Sequence, residues 1–152
     1  MAWLALLLAC APGAAENRAY ADALAPVLLE NGLLADQLLI LAGAVHDDRV
    51  NSSLLTTRWS EEIVVLAERV AIEAAAVPAP PAWRADHASL LAAWKGRAGA
   101  LRDGASALAD GDRAGWESAR AAATRAQLDE EAWFRAANDR LGPSGMHLNP
   151  HP

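Results

Sequence analysis

Apolar residues recur along most of this chain at alternating steps of four and three, the spacing that gathers side chains on one face of an α-helix. The first such row is Tyr20, Leu24, Val27, Asn31, Leu34, Leu38, Leu41 and Val45. Pro26 falls inside it, so the helix either kinks there or begins near Leu24 with Pro26 in its first turn. A second row carries Leu55, Trp59, Ile63, Leu66, Val70 and Val77. Its start is ambiguous: Asn51 or Ser53 could cap it early, or Ser60 could cap it with Glu61 and Glu62 in the first turn. Pro78, Pro80 and Pro81 end it. The third row is the cleanest, with His87, Leu91, Trp94, Ala98, Leu101, Ala105 and Leu108 forming a sustained heptad seam. Gly111 is placed to end that helix in the left-handed conformation, and Asp112 to cap the next. The fourth row is Trp116, Ala119, Ala123, Ala126, Glu130, Trp133 and Ala137, stopped by Gly142-Pro143.

Strand formers are scarce outside Ile63-Val64-Val65, whereas Ala, Leu, Glu and Arg favour helix. The pattern predicts an all-α fold. Helices of about 25–30 residues would each run ~40–45 Å, and short connections make sequential helices neighbours. An up-down-up-down four-helix bundle is the economical arrangement, with a three-helix fold and a split second element as the alternative. The bundle is expected over residues 17–141, followed by a flexible polar tail over 142–152.

The N-terminus reads differently. Trp3-Leu4-Ala5-Leu6-Leu7-Leu8-Ala9 is uncharged and apolar, and it closes on Cys10, the only cysteine of the chain. The run is too short to span a bilayer, which takes ~20 apolar residues, but it suits the apolar core of a cleavable export signal. A small residue before a cysteine is what the bacterial lipoprotein pathway reads. The expected division is a signal peptide over 1–9 and a lipidated tether over 10–16, with Cys10 becoming the acylated N-terminus. No Lys or Arg precedes the run, and Leu8 stands where Ala, Ser or Thr is more usual. Ordinary cleavage within Ala11-Pro12-Gly13-Ala14-Ala15, or an uncleaved apolar N-terminus, are the competing readings. A lone cysteine makes no internal disulfide and no zinc or iron–sulfur site, and lipidation gives it a role.

A formal net charge of −6 over 152 residues, without a basic stripe, argues against nucleic acid and against electrostatic docking on anionic lipid. Six Trp stand beside one Tyr and one Phe. Trp94, Trp116 and Trp133 lie on the seams, where they would fill gaps between Ala-rich helices.

Polar residues on the seams are where a bundle would hold chemistry. The predicted arrangement brings His87, Glu73, Glu130 and Tyr20 towards one end. A histidine with two carboxylates could bind a divalent metal or act as an acid–base pair. The structural alternative is a core-edge His87 hydrogen-bonded to one partner. Known signatures are missing: there is no Glu-x-x-His, Cys-x-x-Cys-His, His-Glu-x-x-His, phosphate-binding glycine loop or Gly-x-Ser-x-Gly. Met146 and His147 sit in the tail, which suits a haem pocket poorly. His46-Asp47-Asp48 lacks the spacing of a calcium loop and reads as a solvated helix end. No catalytic residue, metal or cofactor is therefore assigned.

The chain resembles the small, Ala-rich, exported helical lipoproteins of high-GC bacteria, a group without an assigned function. The likeness is carried by Leu7-Leu8-Ala9-Cys10, by Trp59 opening the second helix and by Trp83 and His87 opening the third. Trp133-Phe134-Arg135, with Asn138 and Leu141, completes it in the fourth. The resemblance implies an anchored bundle in the cell envelope and transfers no catalytic residues. The expected function is a non-enzymatic envelope lipoprotein, held in the membrane by its N-terminal lipid and contacting an envelope protein at the periplasmic or cell-surface side. The alternative is a carrier of a small ligand or metal, using His87 with Glu73 or Glu130.

Overall fold

The computed structural model describes residues 13–46 and 52–149. Among these, all regular structure is helical. Helix α1 is Ala14–His46. Helix α2 spans residues 52–76 and joins Ser52–Arg58, a wide π-turn at Trp59–Val64 and Val65–Ala76. A 3₁₀ turn at Pro81–Trp83 leads into α3, Arg84–Asp110, which α4, Arg113–Leu141, follows. A last 3₁₀ turn is Gly142–Ser144.

Helix α1 begins three residues before the expected Asn17 and runs unbroken through Pro26. Proline removes the bond to the carbonyl four residues back. Pro26 and Asp22 are both exposed, so water can take that carbonyl. The stretch Ala14–Leu41 is long and apolar enough to cross a membrane by length and composition, yet it places Tyr20, Leu24, Asn31 and Leu34 in the protein core.

The π-turn of α2 has a cause in the sequence. Leu55, Trp59 and Ile63 are spaced by two successive steps of four, which overshoots the α-helical period. The wider i→i+5 turn absorbs the overshoot and keeps them on the inner side. The Trp59 indole then donates to the Leu101 carbonyl of α3 at 2.9 Å, and the Ser60 hydroxyl bonds back to the Thr56 carbonyl at 3.0 Å. The α3–α4 corner follows the expected chemistry. Gly111 adopts φ +67°, and the Asp112 carboxylate accepts from the Gly115 amide at 3.0 Å.

Helices α3 and α4 form the most extensive pairing, and α2 packs on both α1 and α3. Gly104 makes close approach possible: a Cβ there would sit 3.2 Å from the Trp116 ring. The core divides in two. One cluster unites the start of α1 (Tyr20, Leu24) and the end of α2 (Val70, Ala74) with Trp83, Leu90, Trp94, Trp133 and Leu141. The other unites Leu34, Leu41, Ile63, Ala67, Ala98 and Leu101. These contacts are compatible with up-down-up-down order. Leu101 is 4% exposed, and Leu101→Ala is expected to cost ~2–5 kcal/mol in chemical denaturation, the range for a buried leucine truncation.

Of the tail expected to be flexible over 142–152, the described part, residues 142–149, includes a segment docked on the core. The Asn138 side chain both donates to the Leu148 carbonyl (3.0 Å) and accepts from its amide (2.7 Å). Leu148 itself is buried in the first cluster. A side-chain amide that satisfies both backbone groups of one residue lets an otherwise irregular segment dock its apolar side chain. Residues 1–12, and with them Cys10 and the expected signal peptide, lie outside the described residues, as do Asp47, Asp48 and Asn51. The tether expected over 10–16 is already helical from Ala14.

Candidate functional site

The polar seam residues form two separate centres. At the end of the molecule where α1 begins, the Tyr20 hydroxyl lies 2.9 Å from His87 Nδ1. Trp83 stacks on Tyr20 at 4.8 Å between ring centroids, and its indole donates to Asn17 Oδ1 at 2.8 Å. The Arg140 guanidinium covers Trp83 at 4.2 Å and reaches Asp86 Oδ2 at 2.8 Å. The Trp133 indole donates to the Asp86 carbonyl. Burial pushes the Tyr20 hydroxyl well above its ordinary pKa, aided by Asp86, so Tyr20 stays protonated and donates to the imidazole. Burial pushes His87 down, against the neighbouring Ala74 carbonyl. His87 is therefore neutral in the fold and protonates more readily unfolded. Stability contributed this way is present above about pH 6.5 and falls as pH drops below it, because the unfolded chain then binds more protons. Thermal melts from pH 7.5 to 5 should show this decline, and His87→Phe should flatten it.

The second centre lies deeper. Glu130 Oε1 accepts from Asn31 Nδ2 at 2.7 Å, and Glu130 Oε2 from Arg97 Nη1 at 2.5 Å. Arg97 Nη2 closes the ring by donating to Asn31 Oδ1. The three residues come from α1, α3 and α4 and are 1%, 8% and 5% exposed for Asn31, Arg97 and Glu130. Burial lowers the Arg97 pKa while Glu130 opposes it. Arg97 Nε and Trp94 Nε1 are buried without a partner among the described residues.

The expected gathering of His87, Glu73 and Glu130 therefore splits. Tyr20 and His87 do meet. Glu130 does not join them, since His87 and Arg97 are ten residues apart on α3, about 15 Å along the axis. Both Glu130 oxygens are already engaged. Glu73 is half-buried on α2 and enters neither centre. Among the described residues no group of three or more His, Cys, Asp or Glu side chains could hold a metal ion. Sequence reasoning missed Arg97, although a signal existed. Leu90, Trp94, Arg97, Leu101, Gly104 and Leu108 form a second four-three row on α3, sharing three members with the one identified.

Two cavities flank Arg97. One, of about 920 Å³, is lined by Glu130, Glu131, Asp139, Arg135 and His147 as well as apolar groups. The other, of about 570 Å³, lies towards the far end among Leu38, Leu41, Leu55, Trp59, Leu101 and Trp116. Trp59 and Trp116 meet edge to face there, 5.0 Å between centroids. Polar seam residues are thus committed to internal pairs, while a spacious apolar chamber stays open beside them. Comparison with protein-family models, with curated proteins and with solved structures finds no match to this chain.

Proposed function

We propose that this chain is an envelope lipoprotein, anchored through an acylated Cys10, whose up-down-up-down bundle acts without catalysis as an accessory module for another envelope protein. The observation that carries the reading is an outer face rich in exposed apolar side chains. Leu29, Leu33 and Ile40 of α1 and Val65 and Ile72 of α2 are each half exposed or more. The Arg69–Glu30 pair (2.7 Å) sets the register between the two helices and brings residues 29–33 level with 65–72. Apolar residues at helical spacing beside a fixed ion pair suit a partner helix laid along the groove between α1 and α2. The internal pairing of Tyr20 with His87, and of Asn31, Arg97 and Glu130, supports a structural task for the polar seams.

Location is tested first. Wild type in growing cells should be acylated and partition into detergent, with processing blocked by globomycin, and Cys10→Ala should lose both properties. Two or more acyl chains anchor stably, as one does not. Identical mobility and partitioning of wild type and Cys10→Ala would refute the anchored reading.

A further inference from the structure

We propose that the apolar cavity beside Trp59 and Trp116 is a binding site for a single-chain amphiphile with an anionic head group. Its volume, about 570 Å³, falls in the roughly 300–1,000 Å³ range of small-molecule pockets. The floor is apolar, formed by Leu38, Leu41, Leu55 and Leu101 with the two indoles. The Trp59 N–H is spent on the Leu101 carbonyl, so the floor offers an aliphatic chain a surface with little polar competition. Small side chains keep the chamber open: Ala100, Gly104, Ala119 and Ala123 line it where a larger seam residue would fill it.

The rim supplies the chemistry. Arg120, Thr124 and Gln127 follow one another at steps of four and three along α4, all exposed, and all border the chamber. Arg97 closes its inner side, with its charge already met by Glu130. Among the described lining residues, the cation that can meet a head group is Arg120. Its pair with Glu117, one turn back at 3.1 Å, is a surface contact of the weak kind. Among the described residues none lining this chamber is acidic, although the chain carries 19 Asp and Glu against 13 Lys and Arg. The neighbouring cavity, by contrast, is lined by Glu130, Glu131 and Asp139. In an acidic protein, a chamber with an apolar floor, a rim guanidinium held only by a weak surface pair and no acidic residue among its described lining selects a chain that ends in negative charge.

None of Leu29, Leu33, Ile40, Val65 and Ile72 of the outer α1–α2 face lines the chamber, so the two readings can fail separately. The test is titration of the full mature chain with dodecanoate, dodecyl phosphate, dodecanol and dodecylammonium, each below its micelle concentration, read by tryptophan fluorescence and calorimetry. Saturable one-to-one binding is expected for both anions, with dodecylammonium about tenfold weaker or more. The tighter of the two anions distinguishes a carboxylate from a phosphate source. Ala123→Leu fills the chamber and should weaken anion binding about tenfold or more with helicity unchanged. Arg120→Gln, at an exposed position, should reduce anion binding while leaving dodecanol unaffected. No saturable binding, no preference for the anions, or binding indifferent to both substitutions would overturn the proposal.

Discussion

Glu130→Ala is expected to destabilise the protein by about 3–5 kcal/mol, the cost of leaving a buried charge without its partner. The stranded group is Arg97, which is 8% exposed. Glu130 is its counter-ion, and Asn31 offers only a neutral oxygen. Asn31 would lose the acceptor of its own amide as well. Against the ~5–15 kcal/mol that folds a typical domain, such a loss is a large fraction. Urea denaturation followed by circular dichroism measures it directly. A second arm separates the charge from the packing. Joint replacement by Asn31→Leu, Arg97→Met and Glu130→Leu should be far less damaging than Glu130→Ala alone, and neutral to stabilising by about 1–4 kcal/mol. Apolar groups of similar volume remove the desolvation penalty along with the pair. A Glu130→Ala change below about 1 kcal/mol would place the network in the range of exposed ion pairs and contradict its burial.

Trp83→Ala should cost a comparable ~3–5 kcal/mol, as large aromatic truncations in cores do. Trp83 is fully buried. It joins three helix ends at once: it stacks on Tyr20 of α1, precedes α3 and lies under Arg140 of α4. Its indole N–H also holds Asn17 at 2.8 Å. Trp83→Phe isolates the last of these, keeping an aromatic ring and losing the hydrogen bond, at about 1 kcal/mol. Equal losses for Phe and Ala would mean that the stack contributes nothing beyond the hydrogen bond.

Periodicity made much of this fold legible. The four rows led to four helices, and the Gly111-Asp112 corner was readable because a left-handed glycine and a capping carboxylate each have a local cause. Trp83 was legible only as a residue opening the third helix, and its core role was not, because it sits in a 3₁₀ turn before α3, off every helical row. The docked tail escaped for a similar reason, since Leu148 depends on Asn138, a contact between a helix and an irregular segment. Of the site residues, Tyr20 and His87 were brought together by helix order alone. Glu130 was put at the wrong depth, because helix order says which ends meet but leaves axial offset to side-chain packing. The π-turn of α2 added a shift of register that spacing alone did not fix. Arg97 was passed over as a cation beside an apolar seam. Only the meeting of Asn31 and Glu130 from two other helices explains its burial.

The function rests on whether the exposed α1–α2 face meets a partner. The most direct measurement is site-specific photocrosslinking in intact cells, with the reactive side chain placed at Leu33 or Ile72 and, as controls, at the exposed polar positions Arg113 and Asp129. The expected result is one discrete heterologous adduct from both face positions and none from the controls, abolished by adding Leu29→Lys to the Ile72 probe. Adducts only to a second copy of this chain, or equal labelling at all four positions, would contradict an accessory role for this face.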